Sequence, residues 1–313
     1  MDASKFADLN RRLIASCGKI IIGKDEIIKD LTICLLASGH VLLEDLPGTG
    51  KTMLLRAFSK SIGGEFRRIQ FTPDILPSDL TGINFYDQKL GEFRFRPGPL
   101  FASVILADEI NRATPRSQSA LLEVMEEKQI TVDGQTYRMK EPYIVMATQN
   151  PVESFGTFPL PEAQLDRFFM RLSMGYMERE DELKVLARPD TKELLEQVEA
   201  VTGPDEIAEL RRSWQEVRVS GEIADYIMNI IDATRSSKLL RYGVSARGSL
   251  ALYRASQINA ALEGRDYVLP EDVKKLAPKV LSHRVTMVRN SHLDNFTFIE
   301  NMLDEIEVPM EKL

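Results

Sequence analysis

The sequence predicts an α/β fold: a doubly wound parallel sheet with helices on both faces, followed by an all-helical domain. Three observations predict it. Short, continuous apolar runs of buried-strand type recur at residues 41–43, 103–107 and 143–148, with helical patterns between them. A glycine-rich turn, Pro47-Gly48-Thr49-Gly50-Lys51-Thr52, joins the first of these strands to a helix. Beyond about residue 176 the strand signals fade and helical periodicity takes over.

Taken in order, residues 1–20 form an N-terminal helix, and residues 25–38 form an apolar helix that leads into the strand at 41–43. A helix runs from Lys51 to about residue 61, and residues 66–71 form another strand. The run SVILA at 103–107 and the run YIVMAT at 143–148 are buried strands, while Ala120, Leu121, Val124 and Met125 give 115–127 a helical stripe. Strands separated by helices imply parallel pairing. Two insertions interrupt the alternation. Residues 83–96 alternate apolar and polar around Lys89-Leu90-Gly91, and residues 129–140 carry Asp133-Gly134 between alternating arms; both are hairpin patterns. Further on, Ile223, Ile227, Ile230 and Ile231 share one helical face, and Leu250, Ala251, Ala255, Ile258 and Leu262 share another. Pro270 opens a helix through residue 280, with Glu271 and Asp272 at its positive end. The expected layout is an N-terminal helix (1–20), a nucleotide-binding core (21–178) and a helical domain (190–313), with the boundary inside the charged stretch 178–199. Trp214, the sole tryptophan, belongs to the core of the helical part.

Composition narrows the class. No run of 18 apolar residues occurs, so no membrane span or direct membrane insertion is expected. The start MDASKFADLNRRL carries charges where a signal peptide needs an apolar stretch, and the two cysteines, Cys17 and Cys34, sit in apolar helical patterns; a reducing cytoplasm fits. Three scattered histidines and no Cys/His cluster give no pattern for a transition metal. A formal charge of −7 disfavours binding nucleic acid through bulk electrostatics.

The glycine turn carries the first chemistry. Glycines let consecutive backbone N–H groups turn toward phosphate oxygens, and the helix start adds its positive end. Residues 47–53 (Pro47, Gly48, Thr49, Gly50, Lys51, Thr52 and Met53) are the expected ATP cradle, in which Lys51 reaches the terminal phosphates and Thr52 ligates Mg²⁺. Asp45 stands where the usual pattern has its first glycine. It precedes the cradle, and Asp tolerates positive φ better than most residues, so Asp45→Gly should leave ATP affinity within about several-fold. The strand at 103–107 delivers Asp108-Glu109 to the end where open parallel sheets bind ligands. Asp108 is placed to hold Mg²⁺, and Glu109 to orient or deprotonate a water. The strand at 143–148 runs into Gln149-Asn150-Pro151, bringing Asn150 between phosphate and Glu109.

This assembly resembles the AAA+ ATPases, and specifically the MoxR family of the helix-2-insert group. The resemblance rests on LLEDLPGTGKT, FTPDILPSDLTG, FRFRPGPLF, ILADEINRA, QSALLEVMEEKQITVDG, MATQNPVESFGTFPLPEAQLDRF and VSARGSLAL. Family members often carry Asp at the first loop glycine, and the two hairpins match the group's insertions. The resemblance implies that Asn150 is sensor 1, that Arg167 is an arginine finger reaching a neighbouring subunit's nucleotide, and that Arg247 is sensor 2. It also implies that Ile22-Gly23 contacts adenine, although Lys24 replaces the usual glutamine.

The expected function is therefore ATP hydrolysis in a homo-oligomeric ring, a hexamer, that remodels, activates or matures a protein client. The resemblance implies metal or cofactor insertion and clients with von Willebrand factor A domains. A DNA-dependent motor shares the insertions, but the hairpins mix Lys89, Arg94 and Arg96 with Asp87 and Glu92, not the basic surface a strand-gripping hairpin needs. A chelatase motor subunit shares the nucleotide motifs and remains an alternative. Intact Lys51, Asp108, Glu109 and Arg167 argue against a non-hydrolysing scaffold.

Overall fold

A computed structural model describes residues 1–44, 48–149, 156–188, 191–288 and 293–309. Helix α1 (Ala3–Gly18) is capped by Asp2, whose carboxylate accepts from the Ser4 N–H, and it buries Phe6, Leu9, Leu13 and Cys17 at helical spacing. Then come α2 (Asp25–Leu36), β1 (Val41–Glu44), α3 (Lys51–Ser61), β2 (Phe66–Gln70) and the short α4 (Pro77–Thr81). The hairpin β3 (Gly82–Asp87) and β4 (Glu92–Pro97) precedes β5 (Val104–Asp108) and α5 (Pro115–Glu127). A second hairpin, β6 (Gln129–Val132) and β7 (Gln135–Arg138), precedes β8 (Ile144–Gln149), α6 (Glu162–Leu165) and β9 (Met170–Leu172). The remainder holds α7 (Arg179–Leu186), α8 (Thr191–Glu196), α9 (Pro204–Ser213), α10 (Gly221–Ser236), β10 (Leu240–Tyr242), α11 (Ala246–Leu262), α12 (Pro270–Leu281), β11 (Thr286–Met287) and α13 (Asn295–Glu305).

The central sheet runs β2-β5-β8-β1-β9, every pair parallel. Its residues alternate between two apolar clusters, as a period of two requires. Val41, Leu43, Val104, Leu106, Ile144 and Met146 enter one, while Leu42, Ile105, Ala107, Val145 and Ala147 enter the other. Both faces are thus covered, which is why the strands read as continuous apolar runs. The first cluster continues into the C-terminal helices through Ile227, Leu252, Ile258, Leu276 and Ile299, so those helices share an apolar core with one sheet face. Polar anchors reinforce that contact. Trp214 is buried, and its Nε1–H donates to the Leu36 carbonyl (3.2 Å). The Arg284 side chain, 2% exposed, donates Nε–H to Asp166 Oδ1 (2.8 Å) and Nη1–H to the Phe169 carbonyl (3.1 Å), next to β9.

β3 and β4, and β6 and β7, pair antiparallel as two hairpins. Asp133 and Gly134 both take positive φ, +49° and +81°, the paired left-handed geometry of a two-residue hairpin turn. Phe95 of β4 stacks on Tyr137 of β7 at 4.2 Å, and Asn84 Nδ2–H donates to Asp133 Oδ2 (2.8 Å), joining the hairpins into one unit. The edge strand β9 and the antiparallel pair β10–β11 go beyond the sequence reading. They span two or three residues each, too short for any periodicity to register.

Candidate nucleotide site

β1 carries the chain toward the loop and α3 takes over at Lys51. Asp45 and Pro47 lie outside the described residues, as does Asn150. Gly48 and Gly50 hold left-handed backbone, φ +86° and +87°, which L side chains rarely adopt. A Cβ on Gly48 would meet nothing within 4 Å, so backbone conformation rather than crowding selects glycine there. Gly50 is the N-cap of α3 and offers no side-chain cap, so the positive end of the helix is presented at the loop.

A cavity of about 370 Å³ opens at this point. Its lining includes Gly48 to Met53, among them Lys51 and the hydroxyl-bearing Thr49 and Thr52, together with the acidic pair Asp108 and Glu109. Strand register explains the meeting, because β5 ends with Asp108 level with Gln70 of β2, and β8 lies on its other side. Glu109 leaves the strand at φ +57°, a left-handed conformation that costs about 1–2 kcal/mol for an L residue. Its N–H donates to Thr148 Oγ1 (2.8 Å), and that hydroxyl donates to Asp108 Oδ1 (2.7 Å). One hydroxyl of β8 therefore fixes both members of the acidic pair. Asp108 Oδ2 accepts from Arg68 Nη2–H (2.6 Å). Glu109 Oε2 accepts from Gln70 Nε2–H (2.8 Å) and faces Arg112 Nε at 3.0 Å. Thr148, Arg68, Gln70 and Arg112 were not singled out by the sequence reading. Their signal was faint: Arg68 and Gln70 alternate on one face of β2, but only the β2–β5 pairing aims them at Asp108 and Glu109.

The donor set suits a metal-bound polyphosphate. Amides, hydroxyls and an ammonium can meet phosphate oxygens. The Thr52 hydroxyl and the Asp108 carboxylate are hard oxygen donors, the kind that Mg²⁺ accepts alongside phosphate.

The remaining expected residues fall elsewhere. Ile22 and Gly23 do not line this cavity. Gly23 packs on α7, where an added Cβ would stand 2.0 Å from Asp181 Oδ2; it is Ile21 that approaches the loop, 3.7 Å from a Cβ built on Gly50. Lys24 donates its ammonium to the Met174 and Tyr176 carbonyls. Arg167 and Arg247 are brought together with each other, not with the loop. Both pair with one carboxylate at the end of α5: Arg167 Nη1 is 3.1 Å from Glu126 Oε2, and Arg247 Nη2 is 2.8 Å from Glu126 Oε1. They line a second cavity, of about 300 Å³. Among the described residues, no helix is long and apolar enough to cross a membrane.

Two family models match this chain: "ATPase family associated with various cellular activities (AAA)" over residues 40–170, and the AAA lid domain over residues 232–306. Together with the left-handed glycine loop and the acidic pair on the neighbouring strand tip, they define the class, an AAA ATPase with a helical lid. Relatives narrow it. The chain is 46% identical to the uncharacterized protein YeaC of Bacillus subtilis, covering 96% of this chain and 95% of that one. It is 38% identical to Chaperone MoxR1 of Mycobacterium tuberculosis, covering 95% and 82% respectively. A crystal structure of a protein from Cytophaga hutchinsonii matches with a TM-score of 0.91 at 37% identity, covering 98% of this chain and 97% of that one. The chain belongs to the MoxR family of AAA+ ATPases, and it binds nucleotide and hydrolyses ATP.

Proposed function

We propose that this ATPase works as a ring, a hexamer, with each ATP held between the loop cavity of one copy and the arginine cavity of the next, and that turnover remodels, activates or matures a protein client. The observation that carries this reading is the separation of the parts. The loop and acidic pair sit in one cavity, while Arg167 and Arg247 sit in another, so a catalytic set with two arginines is completed by a second copy.

In this reading ATP's phosphates lie on the amides of residues 48–53, and Lys51 meets the terminal phosphates. Thr52 and Asp108 hold Mg²⁺, which neutralises phosphate charge. Glu109, held at Oε2 by Gln70 and Arg112, turns its other oxygen to the attacking water. Asn150 follows directly on β8 and serves as the sensor beside the γ-phosphate. Ile22 and Gly23 belong to the adenine side, which Ile21 supports by bordering Gly50. The neighbour's Arg167 stabilises charge spread over the γ-phosphoryl oxygens in the transition state. The compartment is the cytoplasm.

Client contact is assigned to the joined hairpins. Tyr86, Leu90 and Phe93 are exposed, Phe93 at 74%, and a cluster of exposed apolar side chains marks a protein-binding surface. The client class is a protein carrying a von Willebrand factor A domain, with metal or cofactor insertion as one form of maturation. Sedimentation with Mg²⁺ and a non-hydrolysable ATP analogue, paired with ATPase activity per chain across dilution, tests the ring. A hexamer whose activity falls on dissociation is expected. Full activity in a dilute monomer would overturn the proposal.

A further inference from the structure

Four guanidinium groups converge on the second cavity: those of Arg167, Arg247, Arg254 and Arg284, facing Glu126 and Asp166. The two carboxylates leave an excess of two positive charges. Asp166 is committed to Arg284 at 2.8 Å, and Glu126 divides its two oxygens between Arg167 and Arg247. His40 also lines the cavity and adds no charge, since burial holds its ring neutral. Arg254 is different. It is exposed, and among the described residues no hydrogen bond, ion pair or ring contact engages it. It follows Arg247 by seven residues on α11, two turns along, and therefore faces the same way about 10 Å further down the axis. Between them Leu250 stands 55% exposed, an apolar side chain set among cations.

We propose that Arg254 is a phosphate-binding residue that acts in trans: its guanidinium takes phosphate oxygens of the nucleotide held in a neighbouring copy's loop, beyond the reach of Arg167 and Arg247. An unneutralised cation in a cavity with net positive charge fits a polyanion. The spacing along α11 lets two arginines address different phosphates of one chain of phosphates. The inference rests on the ring reading above, in which a second copy brings its nucleotide to this cavity.

The test uses the full chain and Mg·ATP. Arg254→Ala should assemble with a non-hydrolysable ATP analogue as the parent does, yet hydrolyse ATP about tenfold more slowly, the loss of one charge-assisted hydrogen bond. Arg254→Lys should recover part of that loss. Mixing Arg254→Ala subunits with Glu109→Gln subunits should give more activity than the two separate samples, since an intact hydrolytic site then meets an intact Arg254 wherever the two kinds of subunit adjoin in the right order. Full activity of Arg254→Ala in the assembled state overturns the inference. So does failure of both variants to assemble, which would make Arg254 a contact between subunits, or slow hydrolysis without complementation, which would place its action within its own subunit. A parallel mixture of Arg167→Ala and Glu109→Gln separates the two levels. If that pair complements and the Arg254 pair does not, only this inference falls; if neither does, the ring reading falls with it.

Discussion

The two cavities have similar volumes and opposite origins. The loop cavity is lined by the glycine loop and the start of α3, by residues at the ends of β5 and β8, and by Arg68 of β2, so nearly all its chemistry comes from short segments at one edge of the sheet. The arginine cavity gathers residues from the end of α5, the turn before β9, the start of α11 and the turn after α12. In the first, a carboxylate pair shares one cavity with an ammonium and hydroxyls, a donor set that suits a metal-bound polyanion. In the second, carboxylates hold arginines ready but do not fully neutralise them. In the proposed ring, one half binds and activates, and the other supplies charge to a reaction held in the neighbouring copy. This difference explains why an isolated copy should be a weak ATPase even though its nucleotide motifs are intact.

The strongest way to break that contrast is to remove the arginine. Arg167→Ala should lower ATPase by about 10³–10⁵-fold in the assembled state, the range of a finger supplied in trans. Mixing with Glu109→Gln subunits should restore part of it. Persistent silence in mixed rings that assemble would show Arg167 serving its own subunit. Glu109→Gln alone should cost about 10²–10⁴-fold, the range of general-base catalysis, with nucleotide affinity retained. Equal losses of binding and turnover would instead make Glu109 a structural member of the Thr148 network.

How much of this was legible in the sequence follows the same division. Strands β1, β5 and β8 announced themselves because burial on both faces forces continuous apolar runs. Asp133-Gly134 was readable because few residues tolerate consecutive left-handed conformations. The loop was readable because its function needs glycines at fixed places. Thr148, Gln70 and Arg68 were not, because their roles depend on the strand order β2-β5-β8, in which sequentially distant strands become neighbours. Periodicity assigns a residue to a strand and a face, never to a partner. Glu126 went unread for the same reason: nothing on α5 says that two arginines, 41 and 121 residues away, will meet there.

Acid should loosen the arginine side first. His40 is buried against α5 and β8, where its Nε2–H donates to the Met125 carbonyl (2.9 Å) and its Nδ1 accepts the Val145 N–H (3.0 Å). Burial pushes its pKa down to about 4, and the Met125 bond only partly opposes that. The unfolded chain protonates this histidine near 6.5 while the folded one resists, so stability present above that pH is lost as pH falls from about 6.5 to about 4. The loss attributable to His40 should approach about 3 kcal/mol. Chemical denaturation at pH 7 and pH 4.5 measures it, with His40→Gln expected to be less stable at pH 7 but flatter between the two. An unchanged slope would shift the effect to His283, which burial also holds below its usual range.

The smallest expected effect concerns the loop side. Arg68 is 48% exposed and holds Asp108 Oδ2 at 2.6 Å, the carboxylate assigned to Mg²⁺. A metal ligand must then compete with a guanidinium for the same oxygen. An ion pair this exposed contributes about 0.2–1 kcal/mol, so the competition is mild. Arg68→Ala should lower the Mg²⁺ concentration for half-maximal ATP hydrolysis by about two- to fivefold, a change that titration at saturating ATP reads directly. The opposite sign would be equally informative. If Arg68→Ala raised both the Mg²⁺ requirement and the KM for ATP, the guanidinium would swing to phosphate once the metal arrives. The loop cavity would then hold a trigger arginine of its own, and the contrast between the two cavities would narrow.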